Sequence, residues 1–319
     1  MNFIKALLIL VLFSCGTTNT EDLNIETEQP NQEIENSKNG ESPIDINPND
    51  WILDTSISDE FNTNSVNLSK WINNPNDWGP WSWEPDNTYQ KEEVLNIRMR
   101  YEEHSARGFD MFYKSGILRS KDTITYGYVE AKIKGIHTFP GASPAFWLYS
   151  LGSELDGWGM RKNNEGAVRY CEVDVVEMLQ ANWTKENGIS GPEVIDSNLH
   201  TVVIENGKEL WKRPGGYPEL TKTEIHTDFD PRDDYHTYGA EIAKDKITFY
   251  IDGKKTGEKK NVYWHLPMHV TLSLGLRYPH VTYQNCPNGK DRCPVPEKAT
   301  EEGFPTEMKV DWVRCYRKK

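Results

Sequence analysis

The sequence predicts an all-β domain, a sandwich of two packed antiparallel sheets with one sheet curved into a cleft. Three observations carry this. The apolar period is mostly two: Leu95, Ile97 and Met99 alternate with Asn96, Arg98 and Arg100, and Val129, Ala131 and Ile133 with Glu130, Lys132 and Lys134. That spacing lines one face of a pleated strand. The dipeptide Asp252-Gly253 follows a strand-like run, KITFYID, and reads as a tight hairpin turn. No stretch of eleven or more residues carries a helical stripe. Further strand-like runs are HVTLSLGL at 269 to 276 and MKVDWVRCY at 308 to 316. Many strands joined by long aromatic loops suit two stacked sheets with a substrate cleft on the concave face.

The chain opens MNFIKALLILVLFSC, a lone Lys5 followed by an apolar run from Ala6 to Phe13 and then Ser14-Cys15. A run of about eight apolar residues is too short to span a bilayer, which needs about 20, so residues 1 to 15 are expected to be an export signal. Residues 16 to 50 hold nine acidic residues, one lysine and no aromatic. Such a segment buries too little apolar surface to offset chain entropy and is expected to be a disordered acidic tether. Residues 51 to 319 show no Pro- or Ser-rich break and no internal repeat, and are expected to form one domain.

The formal charge of −13 divides into +1 for residues 1 to 15, −8 for 16 to 50 and −6 for 51 to 319. A mildly acidic domain argues against nucleic acid as partner, because phosphate binding needs a basic face. If the ligand is anionic, the basic residues that meet it are local. Eleven Trp, fifteen Tyr and ten Phe include several in polar settings such as WGPWSWEPDN. Aromatic rings among polar residues suit sugars, whose apolar ring faces stack while the hydroxyls take hydrogen bonds.

Four cysteines follow Cys15. Cys286 and Cys293 bracket a short Pro/Gly-containing loop, CPNGKDRC, where closure costs little, and are predicted to form a disulfide. No metal-ligand spacing of His or Cys surrounds them. Cys171 and Cys315 lie in strand-like runs, either as free buried thiols or bridged to each other.

The chemistry-bearing segment is Cys171-Glu-Val-Asp-Val-Val-Glu-Met178, with three acids in six residues. On a regular strand Glu172 and Asp174 share one face, Val173 and Val175 the other, and Glu177 points away. A β-bulge at Val175-Val176 would return Glu177 to the face of the other two, and bulges are enriched beside active sites because they re-aim side chains. Three carboxylates side by side do not all ionise cheaply, so at least one holds its proton. One ionised carboxylate and one protonated acid is what glycoside hydrolysis requires, and close neighbours on one strand suit a retaining mechanism better than an inverting one.

These residues resemble glycoside hydrolase family 16, whose bulged signature Glu-x-Asp-x-x-Glu falls on Glu172, Asp174 and Glu177. The family's other marks stand at SDEFN (58 to 62), YGYVEAKIKG (126 to 135), PAFWLYS (144 to 150) and VDWVR (310 to 314). The resemblance implies a β-jelly-roll sandwich of two curved antiparallel sheets, with Glu172 as nucleophile, Glu177 as acid/base and Asp174 between them tuning their protonation. It also implies a possible structural calcium at Asp311, with no cofactor for catalysis. Leu-Phe-Ser-Cys resembles a lipobox, which would make Cys15 the lipidated first residue of an outer-membrane or cell-surface lipoprotein; ordinary signal cleavage nearby is the alternative, and either route exports the chain.

Within the family the likeness is to κ-carrageenases, through GPWSW (79 to 83), FPGASPAFWLYS (139 to 150), EVDVVEM (172 to 178), WKRPGGYP (211 to 218), FDPRDDYHTYG (229 to 239), YWHLPM (263 to 268) and GLRYPH (275 to 280). Segment 151 to 171 departs from the pattern. The implied activity is endo-cleavage of β-1,4 bonds in κ-carrageenan, a galactan alternating 4-sulfated galactose with 3,6-anhydrogalactose. A sulfate ester suits the planar fork of Arg. The resemblance assigns Arg213 and Arg277 to sulfate, Trp83, Trp147 and Trp211 to stacking and His200 to a hydrogen bond in the cleft. Each also has a plain role open to it: Arg213 as a solvated loop charge, Arg277 as partner of a core acid, His200 as a satisfied strand histidine. His226, His236 and His280 take no assignment. Rival readings are a sister enzyme acting on furcellaran, hybrid carrageenan, agarose or porphyran, and a non-catalytic surface glycan-binding lipoprotein. A laminarin-type β-glucanase leaves the two arginines unexplained.

Overall fold

The structure is a computed structural model that describes residues 49–319 apart from 152–163, 181–182, 185–187, 215, 218–219 and 221–222. The signal, Cys15 and all but the end of the tether lie outside the described residues, as does most of the departing segment 151 to 171. The described residues fall within one compact unit, Lys38–Lys319.

Two large sheets form the unit. The first has eight strands, in the order Lys208–Lys212, Val194–Glu205, Val168–Met178, Ala142–Tyr149, Met268–Leu276, Ile117–Ile124 and Trp71–Ile72, with Thr223–His226 paired to Val194–Glu205. The second has ten, and its centre runs Lys254–Lys260, Lys246–Ile251, His236–Ile242, Gly127–Lys134, Thr306–Lys318, Val94–Ala106 and Phe109–Ser115. All of these pairs are antiparallel, as the alternation predicts; Ser82–Trp83 adds a short parallel pair to Phe109–Ser115.

The alternating apolar residues meet between the sheets. Leu95, Ile97, Met99, Val129, Ala131 and Ile133 of one sheet share a core with Phe146, Leu148, Val173, Leu199, Val270 and Leu272 of the other. Each such side chain contributes roughly 1.5–3 kcal/mol by leaving water. Asp252 and Gly253 have φ of 46° and 70°, the pair of positive values a two-residue type I′ turn needs. Asn206-Gly207 makes the same turn between Val194–Glu205 and Lys208–Lys212.

The SDEFN and VDWVR segments close on each other. Asp59 and Val313 exchange backbone hydrogen bonds of 2.8 and 2.9 Å. Arg314 forks onto Glu60 at 2.8 and 2.9 Å, with its guanidinium 4.1 Å from the ring of buried Trp312. Two segments some 250 residues apart in sequence are thereby clamped together.

Candidate active site

Val168–Met178 runs through the eight-stranded sheet between Ala142–Tyr149 and Val194–Glu205. Against the first neighbour, Asp174 faces Trp147 and Val176 faces Phe146, so Val175 is an extra residue. Against the second, the register jumps between Asp174↔Asn198 and Glu177↔Asp196. This is the bulge that the doubled valine predicts, and it turns Glu177 onto the face of Glu172 and Asp174. Val173, Val175 and Val176 are all buried, so the strand is anchored in the core while its three acids line one cleft. Trp264 locks the strand from beneath: its Nε1 donates to the carbonyl oxygens of Glu172 at 2.8 Å and His200 at 3.2 Å.

Each acid has a different setting. Glu172 accepts a hydrogen bond from the Tyr170 hydroxyl, and its Oε1 lies 3.7 Å from His200 Nε2. Asp174 is buried, with Oδ2 3.2 Å from His200 Nε2. Burial and the charges of Glu172 and Glu177 push its carboxyl well above the usual range, despite the imidazole. Burial draws His200 down, but the hydrogen bond to Asp174 and the charge of all three acids outweigh it and raise the imidazole to about 9. Burial would raise Glu177 too. Arg277 Nη2 at 2.8 Å, the charge of His200 and Asn198 Nδ2 at 2.8 Å hold it below its ordinary value instead. Burial and its acidic neighbours thus favour the protonated form of Asp174, while the Arg277 guanidinium favours the ionised form of Glu177, the residue to which the resemblance gives the acid/base role.

The cleft holds about 800 Å³ and contains every predicted substrate residue. Trp211 is 48% exposed, and Arg213 stands over it with Cζ 4.6 Å from the ring. Lys212 between them points the other way, paired to Glu205 at 2.6 Å, so strand alternation delivers both neighbours to the cleft. Trp147 stacks on Tyr149 with ring centres 4.6 Å apart and donates from Nε1 to Ser273. Trp83 is only 4% exposed, packed edge-on against Trp78 and Trp81. Trp78, half-buried in front of it, offers more ring to the cleft. Arg277 is at once a cleft residue and the partner of an acid, with Nε donating to Gln180 at 2.9 Å.

Cys286 and Cys293 are bridged. Cys171 and Cys315 are free, buried and in different sheets, with burial pushing the Cys171 thiol up to about 12. Asp311 carries Lys132 at 3.0 Å from Oδ2. A divalent cation bound at that oxygen would have to displace the ammonium. Among the described residues, Glu172, Asp174 and His200 bring ligand atoms within 4.8 Å of one another. An imidazole that keeps its proton to about 9 donates to Asp174 rather than to a metal.

The sequence reading left out Tyr170, Asn198, Gln180, Trp78, Tyr149, Ser273, Tyr283 and Arg292, all of which line the cleft. Period two could have found Tyr170 and Asn198, each two residues from an assigned group on the same strand. Gln180 and Tyr283 lie just past the ends of strands and Arg292 just before one, where alternation no longer says which way a side chain points.

Comparison with known proteins bears on this geometry. A family model, "Beta-porphyranase A-D, GH16 domain", matches residues 51–318. The kappa-carrageenase of Pseudoalteromonas carrageenovora is 41% identical over 279 residues, 84% of this chain and 65% of that one. The chain thus spans about two thirds of that relative's length. A crystal structure of the kappa-carrageenase from the same organism, in complex with an oligotetrasaccharide of kappa-carrageenan, superposes with a TM-score of 0.76 at 39% identity, covering 86% of this chain and 97% of that one. The kappa-carrageenase of Zobellia galactanivorans gives 0.76 at 35%, covering 88% and 100%.

Proposed function

The chain belongs to glycoside hydrolase family 16, and on that footing we propose that it is an endo-acting, retaining hydrolase of the β-1,4 bonds of κ-carrageenan. The observation that carries the reading is the cleft itself: a bulged row of three acids with one acid bonded to a cleft arginine and a second arginine over an exposed tryptophan. The kinship with kappa-carrageenases supports the choice of substrate.

In the proposed reaction Glu172 attacks the anomeric carbon while Glu177 gives a proton to the departing glycosidic oxygen. Water then attacks the glycosyl ester, giving its proton to Glu177, and Glu172 leaves as carboxylate. Glu177 has to acquire its proton first. A substrate sulfate that draws Arg277 away from Glu177 removes the charge that holds it ionised, and a proton held at Asp174 is close at hand. Sulfate recognition and arming of the acid are then one event.

The test is reducing-sugar release with oligosaccharide mass analysis on κ-carrageenan beside furcellaran, ι-carrageenan, agarose, porphyran and laminarin, with Glu172→Gln as control. Even-numbered sulfated oligosaccharides from κ-carrageenan, absent with the variant, support the reading. Activity confined to another galactan refutes the substrate. The description of the matching family model favours porphyran as the second reading. Binding to a galactan without turnover of any refutes the enzyme reading.

We further propose that the chain is exported and lipid-anchored through Cys15, with residues 16 to 50 as tether; the apolar run before Ser14-Cys15 supports this. Among the described residues no helix is long and apolar enough to cross a membrane. Cys15→Ala should release the protein from the membrane fraction, and retention there refutes the anchor.

A further inference from the structure

Among the described residues only five large hydrophobic side chains are left exposed, and just two are aromatic, Trp211 and Tyr283. Both line the cleft, and each has an arginine over its ring: Arg213 at 4.6 Å from Trp211, Arg292 at 5.8 Å from Tyr283. An exposed ring beside a guanidinium matches a sulfated sugar, whose apolar face stacks while the ester takes the planar donors. The first pair coincides with predicted substrate residues. The second does not.

We propose that Tyr283 and Arg292 form a further sulfate-reading subsite of the cleft, besides Arg213 and Arg277, engaging another sulfated galactose of the chain. This rests on the galactan reading above. The two aromatic–arginine pairs stand toward different ends of the catalytic strand. Trp211 packs on Tyr170, whose hydroxyl serves Glu172, with ring centres 5.3 Å apart. Tyr283 lines the cleft together with Arg277, which serves Glu177. A polymer sulfated on alternate sugars that crosses the site brings a sulfate to each.

The pair is also held ready for a ligand. Tyr283 and Arg292 directly flank the rung Thr282↔Cys293 of a two-stranded ribbon, and the Cys286–Cys293 bridge closes the loop between them. A loop fixed in this way loses little freedom on binding. Arg292 pairs with its neighbour Asp291, 3.6 Å away and 63% exposed, a contact too solvated to occupy the guanidinium.

Binding decides this without requiring turnover. The full-length Glu172→Gln protein, alone and with Arg292→Ala, is titrated with κ-carrageenan oligosaccharides and with the same chains chemically desulfated. The added change should weaken binding of the sulfated chains about tenfold or more, the value of a charged hydrogen bond, and leave the desulfated chains unaffected. Arg292→Lys should recover part of the loss. An unchanged affinity for sulfated chains overturns the subsite, and an equal loss on both ligands makes Arg292 a structural residue. If the parent binds no κ-carrageenan chain, the inference falls for this polymer. Wild-type turnover of κ-carrageenan, measured separately, reports on the proposed function alone.

Discussion

Replacing Arg277 by Ala tests the link between sulfate recognition and acid catalysis. Arg277 Nη2 stands 2.8 Å from Glu177 Oε1, with the two side chains 16% and 14% exposed. An opposite charge at such range, little screened by water, holds the carboxyl below its ordinary value. Glu177 must be protonated to act as acid, so activity falls as pH rises through its pKa. Without the guanidinium, only His200 and Asn198 oppose burial and that pKa climbs. The basic limb of kcat/KM against pH, which reports the free enzyme, should therefore move to higher pH. The plateau should also fall, by roughly 1.5–3 kcal/mol of lost sulfate bonding. The assay is kcat/KM on κ-carrageenan over pH for wild type, Arg277→Ala and Arg277→Lys, the last keeping the charge and hence a limb close to wild type. A limb that stays put or moves down in Arg277→Ala refutes the claim that Arg277 sets the protonation of Glu177.

Four other outcomes are expected. The first product of wild-type cleavage, followed by NMR, should keep the β configuration; an inverted product rules out Glu172 as nucleophile. Trp264→Phe leaves the carbonyls of Glu172 and His200 without their indole donor; the cost of about 1–3 kcal/mol should lower Tm by roughly 2–4 °C per kcal/mol, and an unchanged melt refutes the anchoring role. His200 has its pKa raised to about 9 from 6.5, so the stability it adds is fully present below about 6.5 and lost as pH passes 9; the Tm difference between wild type and His200→Gln should shrink across that window, and a constant or growing gap contradicts the pairing with Asp174. Because Lys132 already neutralises Asp311, EDTA should leave Tm unchanged, and a drop reversed by calcium restores the metal site.

What the sequence disclosed followed from repetition. A pleated strand shows its period in every second residue, so the sheets, the Asp252-Gly253 turn and the core faces could all be read, and so could a bulge, because one surplus valine interrupts the count. Closing the Cys286–Cys293 loop needed only a short span. Residues just outside strands escaped: Gln180, Tyr283 and Arg292 reach the cleft from segments whose direction depends on the packing of neighbours. Trp83 showed the opposite limit, since an aromatic set among polar residues in sequence packed against two other tryptophans in space.

Arg277 exposes a subtler limit. Sequence reasoning framed its roles as alternatives, sulfate reader or partner of a core acid, because a single chain position suggests a single job. In the proposed reaction they become successive states of one side chain. A buried carboxylate needs a counter-charge, here Arg277, and a sulfated ligand would supply an anion that competes for the same guanidinium. The exchange would cost an uncompensated charge if Glu177 stayed ionised, so it is tied to proton uptake by the residue that must act as acid. Under that argument a desulfated galactan should suffer in kcat as well as in KM, since it binds without relieving Glu177. A loss confined to KM would leave Arg277 as a simple binding residue.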